Sequence, residues 1–321
     1  MELPFALKAA IEEKCAAHPT ADLIAAARNI SERYRNESGH GKRLLTEDVE
    51  ALSYAVVRMP ATFGAVSTAL RHTLDCFDAS IATVLDVGAG TGAATWAVHA
   101  AWEGPLDITC LEREEAMIRL GSGLMAEDEV LSQVRWVRHD LAAIPVSQKA
   151  DLVIASYALN ELSEDKRAEV LRNLWDCAEK LLLIIEPGTP VGFAQLRKAR
   201  ETLIALGGHV AAPCVHQEEC PLPADDWCQF TARVARSRLH KLLKGGDVPY
   251  EDEKFSYLAV AKESARPAEC RILRHPQKES GCITLRLCTQ EGIQDKAVTK
   301  RQGELFKRAR KADSGDAFPN L

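Results

Sequence analysis

The sequence predicts an α/β protein built on a parallel, doubly wound sheet, and three observations carry that expectation. From Ile81 onward, short apolar and β-branched runs alternate with helical segments, the pattern of strands joined by crossover helices. One junction, VLDVGAGTG from Val84 to Gly92, sets three glycines between an apolar run and the helical pattern AATWAVHAAW. That reads as strand, tight turn and helix start, with glycine supplying the backbone angles and the close ligand approach such a turn needs. Finally, acids stand at the ends of three successive strands, at Asp86, Glu112 and Asp140. Open α/β sheets bind ligands at that edge.

The chain divides into five expected units. Residues 1–78 read as a helical N-terminal lobe: Leu7 to Ile30 is Ala-rich with apolar spacing of three and four, Thr46-Glu47-Asp48 looks like a helix start, and Pro60 ends or kinks that helix. Residues 79–206 hold the sheet, with strands at IATVLDVG, DITCLERE, VRWVRHDL, DLVIASYAL and KLLLIIEPG. Residues 207–249 form a cysteine-rich insert with a basic helix, 250–264 a returning sheet strand, and 265–321 a small β hairpin with a basic tail.

Composition narrows the class. With 46% apolar and 27% charged residues the chain matches an ordinary soluble globular protein. No apolar run approaches the roughly 20 residues a membrane helix requires, so no membrane partner is expected. The opening MELPFALKAAIEEKC has no basic n-region and carries Glu2, Glu12 and Glu13, which argues against a secretory or transit signal and for a cytoplasmic location. Ten cysteines in such a chain point to thiols or metal ligands, not disulfides.

The glycine turn alone also fits a relaxed dinucleotide fingerprint, Gly88-x-Gly90-x-x-Ala93. Asp86 tips the choice. A carboxylate two residues before the first glycine would repel a pyrophosphate, whereas it suits a ligand carrying an ammonium and a sulfonium. S-adenosylmethionine is such a ligand, and DxGxGxG after a strand resembles the first motif of the class I methyltransferases. Glu112, 24 residues past Gly88, is placed to accept both ribose hydroxyls, and Asp140 to accept from the adenine amino group. The expected cofactor set is therefore Asp86, Gly88, Ala89, Gly90, Gly92, Glu112 and Asp140. After the fourth strand, Ser156 to Glu161 lacks both the Asn/Asp-Pro-Pro-aromatic motif of base amino-group methyltransferases and a Pro-Cys nucleophile. Tyr157, Asn160 and Glu161 are the candidates for substrate chemistry; capping a strand and starting a helix explains them equally well.

Cys214, Cys220 and Cys228 are spaced C-x5-C-x7-C among Pro213, Pro221 and Pro223. Core cysteines sit singly on apolar elements, so three in a polar, proline-rich loop read as metal or cluster ligands. Zinc is the rival ion, but its knuckles are shorter; the wide spacing suits a [4Fe–4S] cluster. A fourth ligand would come from Cys270, Cys282 or Cys288, with His209 and His216 as local alternatives, and spacing does not choose between Cys282 and Cys288. Past Cys228, FTARVARSRLHKLLKGG reads as an amphipathic helix whose Arg233, Arg236, His240 or Lys241, and Lys244 make a basic stripe without a compensating acid, suited to phosphate.

Taken together, RMPAT at 58–62, LDVGAGTGAATWA, CxxxxxCPLPxDDWCxF at 214–230, SRLHKLLKGG, YEDEKFSYLAV, LRHPQK and KRARKADSGD resemble the methyltransferase-like assembly factors of the mitochondrial small ribosomal subunit and their bacterial relatives. The likeness covers most of the chain, and the cysteine insert is its most specific part. It implies a class I methyltransferase fold and a four-cysteine iron–sulfur cluster on Cys214, Cys220, Cys228 and Cys288. It also implies contact with small-subunit ribosomal RNA, with methyl transfer itself open. Nothing in the sequence specifies an oligomeric state or a target nucleotide.

Overall fold

The computed structural model describes residues 1–37 and 47–320. Four helices open the chain: α1 (Phe5–Ala16), α2 (Thr20–Glu37), α3 (Asp48–Val57) and α4 (Met59–Leu74). The apolar spacing from Leu7 to Ile30 is interrupted at His18-Pro19, because proline cannot extend a helix interior. Thr46 lies outside the described residues; Glu47 takes the cap position of α3, with reciprocal bonds between Glu47 and Glu50. Pro60 stands in the first turn of α4, where its missing N–H is no loss.

The main sheet comes next. In chain order it comprises β1 (Thr83–Val87), α5 (Ala93–Ala101), β2 (Asp107–Glu112), α6 (Glu115–Met125), β3 (Arg135–Arg138), β4 (Ala150–Ser156), α7 (Glu164–Cys177), β5 (Ala178–Pro187), α8 (Pro190–Ala205), β6 (His209–Ala212), β7 (Phe230–Ala235), α9 (Arg238–Lys244) and β8 (Tyr250–Ala261). The spatial order is β3-β2-β1-β4-β5-β8-β6, with β7 also paired to β8. Strands β1 to β5 are parallel, and β8 returns antiparallel to β5. A parallel core closed by a reversed strand is the class I methyltransferase arrangement expected from the sequence. Leu182, Leu183, Ile184 and Ile185 of β5 are fully buried because both faces of this strand are covered. Each such side chain is worth about 1.5–3 kcal/mol of apolar burial. One face packs against the N-terminal helices and α5, the other against α7 and α8.

Strand β8 is the longest strand, and its outer edge is shared. β7 covers it from Tyr250 to Phe255 and β6 from Ala259 to Ala261, so Ser256 to Leu258 face the gap between them. The cysteine loop occupies that gap. The sequence reading of one amphipathic helix from Phe230 to Gly246 is corrected here. Phe230, Ala232 and Val234 are buried in alternation with Thr231, Arg233 and Ala235, a strand period, and only Arg238–Lys244 is helical.

The C-terminal unit is a second sheet of β9 (Cys270–Ile272), β10 (Gln277–Glu279), β11 (Cys282–Thr289), β12 (Gly292–Thr299) and β13 (Ala317–Phe318), with α10 (Glu304–Lys311) against it. β11 and β12 form the expected hairpin. The tail is more ordered than a basic extension: α10 lays Ala309 on the small core, and Phe318 is buried beside Ile272, Leu285 and Leu287. None of the ten cysteines forms a disulfide.

Candidate functional site

The carboxyl ends of β1, β2 and β4 open into a cleft of about 210 Å³. Gly88, Gly90, Glu112, Asp140, Tyr157, Asn160 and Glu161 all line it, so most of the residues singled out from the sequence converge. Gly88, Gly90 and Gly92 all have positive φ, which other residues rarely adopt. Gly90 faces open space, whereas a side chain at Gly92 would collide with Met125.

Asp86 is not at the cleft surface. Fully buried beneath the turn, it accepts from the Thr95 N–H at 3.1 Å and the Thr95 hydroxyl at 2.8 Å, tying β1 to the start of α5. Its Oδ1 has no protein partner, and burial raises the carboxyl to about 6. Glu112 accepts from the Gly90 N–H and the Glu114 N–H, each at 2.8 Å, and burial raises it above the ordinary carboxyl range. Four backbone N–H groups of the turn are already engaged. Gly88 and Ala89 donate to Leu111, Gly92 to Ala89, and Gly90 to Glu112. Ala89 contributes that backbone bond and a buried methyl group. Asp140 accepts from the Ala142 N–H at 3.0 Å and is half-buried on the cleft wall.

The loop after β4 has chemistry of its own. Tyr157 is the one described non-glycine residue with positive φ, 57°, a conformation that persists only where surroundings impose it. Its hydroxyl donates to Glu253 Oε1 of β8 at 2.9 Å, and burial pushes it well above the usual phenol range, so it serves as a donor. Glu161 is raised to about 7, by burial first and then by Glu112. A carboxyl that exchanges its proton near neutral pH in a cleft is suited to acid–base work. Sequence reading missed Tyr54 and Arg58, which reach the cleft from the N-terminal helices. The RMPAT stretch, which includes Arg58, was the available signal.

Cys214, Cys220, Cys228 and Cys288 line one apolar pocket beside β8, with Ser256, Tyr257 and Leu258 of that strand. Neither Cys270 nor Cys282 does: Cys270 is buried in the C-terminal core. Cys282 shares a face of β11 with Cys288 but lies six residues away, about 20 Å along a strand. His216 borders the pocket and His209 does not. Burial pushes the Cys214 and Cys228 thiols up, and Cys288 up to about 12, with the neighbouring cysteines adding to each. Among the described residues no three His, Cys, Asp or Glu side chains are gathered as the donors of a metal ion. The loop is fastened at Asp226, which pairs with Arg274, and by the Ser256 hydroxyl donating to the Cys228 carbonyl at 2.7 Å.

The basic stripe does have compensating acids, and that expectation is corrected. Arg233 makes two 2.7 Å bonds to Asp252, while Arg236, His240 and Lys244 converge on Glu251 at 3.2, 3.1 and 2.6 Å. The partners were invisible in the sequence because they stand on β8, across the strand pair from β7. Among the described residues no helix is long and apolar enough to cross a membrane.

A family model described as "Mitochondrial small ribosomal subunit Rsm22" matches residues 48–319, which include both the cleft and the cysteine pocket. The human mitochondrial ribosome assembly protein METTL17 is 30% identical over 313 residues, covering 89% of this chain. This chain spans 66% of that relative's length. Among solved structures, the Synechocystis magnesium protoporphyrin IX methyltransferase with bound SAH has a TM-score of 0.43 and 14% identity, covering 73% of this chain and 94% of its own. The N-methyltransferase NodS from Bradyrhizobium japonicum has a TM-score of 0.40 and 11% identity, covering 65% and 97%.

Proposed function

Because the chain belongs to the Rsm22 family of the mitochondrial small ribosomal subunit, we propose that it is an S-adenosylmethionine-binding, iron–sulfur protein that binds ribosomal RNA and acts in assembly of the small ribosomal subunit. The observation carrying the cofactor half is the convergence of the glycine turn, Glu112 and Asp140 on one cleft. The acidic rim of Glu112, Glu114, Asp140 and Glu161 fits a cationic ligand. The engaged N–H groups of the turn disfavour a pyrophosphate, which needs them free. Bound there, the cofactor would supply a methyl group activated by its sulfonium. Glu112 and Asp140 would hold the ribose and adenine, and Glu161 is the group able to take a proton from an acceptor.

The cluster half rests on four thiols in one pocket. The raised titration of Cys214, Cys228 and Cys288 means that these thiols stay protonated when free; thiolate ligation needs a cation to offset it. A [4Fe–4S] cluster fits that donor set, with zinc as the alternative. The cytoplasmic location read from the sequence belongs to this proposal, and the human relative is described as mitochondrial. Imaging of a tagged full-length protein distinguishes the two.

Two measurements on the full chain test the reading. Calorimetry should detect S-adenosylmethionine binding, weakened about tenfold or more by Gly90→Arg or Glu112→Ala; binding of NAD in its place overturns the cofactor assignment. Anaerobically purified protein should be brown, with iron and acid-labile sulfide near four per chain. Cys→Ser at any of the four pocket positions should bleach it, and Cys15→Ser, Cys76→Ser or Cys270→Ser should not. One zinc and no sulfide would leave a tetrathiolate site of the wrong kind. Crosslinking to RNA in cells identifies the target, and an intact cofactor site without methyl transfer would mark a non-catalytic assembly factor. Absence of RNA affinity would favour a small-molecule methyltransferase.

A further inference from the structure

Two buried arginines border the cysteine pocket, and neither has a counter-charge. Arg271 of β9 is fully buried, and its guanidinium donates to the Pro213 carbonyl at 3.0 Å, the Gly315 carbonyl at 2.9 Å and Cys76 Sγ at 3.6 Å. Arg200 of α8 is 5% exposed, donates to the carbonyls of His216 and Glu218, and leaves its Nε without a partner. Among the described residues neither pairs with a carboxylate, and no Asp or Glu lines the pocket. Arg197 also reaches it, but that side chain already faces Glu201 and Glu219. A buried guanidinium without a counter-charge is costly to desolvate, and two beside one cavity is an arrangement that folding alone disfavours. A second orphan points the same way: the hydroxyl of Tyr257, buried on the pocket wall, has no partner.

We infer that Arg200 and Arg271 are the built-in counter-ions of a tetrathiolate [4Fe–4S] centre held by Cys214, Cys220, Cys228 and Cys288, and that they set its charge balance and reduction potential. This rests on the cluster reading above. Four thiolates on a dicationic core leave two net negative charges, and the pocket supplies two guanidiniums. In a low-dielectric pocket that match removes most of the cost of burying either partner alone. The two arginines stand on different elements, α8 and β9, and both bond to carbonyls of the cysteine loop, at Pro213, His216 and Glu218. They are positioning residues: they act on the centre through charge and through the loop that carries its ligands.

The test uses the full chain, purified without oxygen, as wild type, Arg200→Gln, Arg271→Gln, Arg200→Lys and Arg271→Lys. Iron and sulfide per chain are measured first, and the midpoint potential is then read by redox titration followed by electron paramagnetic resonance. Each Gln variant should shift the potential to a more negative value, because loss of a nearby cation disfavours adding an electron. Lys, which keeps the charge and loses the planar fork, should restore most of the wild-type value. Gln variants that hold a full cluster at the wild-type potential overturn the counter-ion role and leave the cluster standing. If Gln variants lose the cluster and Lys variants retain it, the charge role holds; if both lose it, the role is hydrogen-bond geometry and the charge argument fails. Wild-type protein without iron or sulfide removes the cluster itself, and this inference with it.

Discussion

Glu186 shows what a single buried acid does to the fold. It stands one residue before the end of β5 with 1% exposure, and burial, the largest cause, raises its carboxyl to about 8. The folded state thus holds a proton that the unfolded chain, titrating near 4.5, has already released. Stability falls as pH rises from about 4.5 to about 8, since the folded form binds the extra proton throughout that window. Displacing a carboxyl's titration by one pH unit is worth about 1.4 kcal/mol. Glu186→Gln mimics the neutral acid, so it should leave the melting temperature nearly unchanged at pH 5 and raise stability by a few kcal/mol at pH 8.5. Thermal melts at both values decide it; an equal effect at both would show that packing governs this site. Glu161 and Asp86 contribute the same sign in narrower windows, ending near 7 and 6. Such acids were only partly legible in the sequence. Asp86, Glu112 and Asp140 declared themselves by sitting at strand ends, but the burial that raises Asp86 and Glu112 exists only in the folded chain.

At the scale of elements, the contrast between α9 and β7 explains what pattern-reading misses. Arg233, Arg236, His240 and Lys244 recur at helical spacing, yet the chain changes from strand to helix at Ser237, whose hydroxyl accepts from the His240 N–H. The decisive information was the alternation of Phe230, Ala232 and Val234, which a six-residue strand offers too briefly to outweigh a strong charge period. By contrast, β1, β2, β4 and β5 were legible because each is an apolar run bounded by turn residues, and Cys214, Cys220 and Cys228 because a polar loop gives thiols no packing role; Cys288, buried on β11, was indicated by the family resemblance and not by spacing. Glu251 now organises α9. Burial favours its protonated form, but contacts from His240 and Lys244 prevail and hold the carboxyl well below its usual range. Its stabilisation is present above pH 4.5 and is lost as pH falls below that. Glu251→Ala should destabilise the protein by about 2–4 kcal/mol near neutral pH, since the partly buried cations Arg236 and Lys244 lose their partner. Hydrogen exchange should show the loss concentrated in α9; uniform loosening of the whole sheet would contradict the local account.

Across the whole molecule, a net charge of −6 makes any affinity for RNA a matter of local cation supply. The stripe at 233–244 is largely spent on β8. Lys300, Arg301, Arg310 and Lys311 are exposed and, among the described residues, make no ion pair. Reversing these four to Glu should weaken binding to small-subunit RNA, and each true phosphate contact removed should lower the slope of log affinity against log salt by about one. Filter binding at several salt concentrations reads this directly, and an unchanged slope would acquit the C-terminal unit. Arg236→Glu should lower the melting temperature instead, because its partner is Glu251. One strand finally imposes a rule on how this chain can vary. β8 holds Glu253 at the cleft through Tyr157 and, four residues on, Tyr257 at the cysteine pocket. At about 3.3 Å per residue the two stations are roughly 13 Å apart and in phase on the same face. Adding or removing one residue between them reverses that phase, so a single-alanine insertion after Lys254 should abolish cofactor binding and cluster assembly together. Loops on either side are free to drift in length; this interval is fixed by parity.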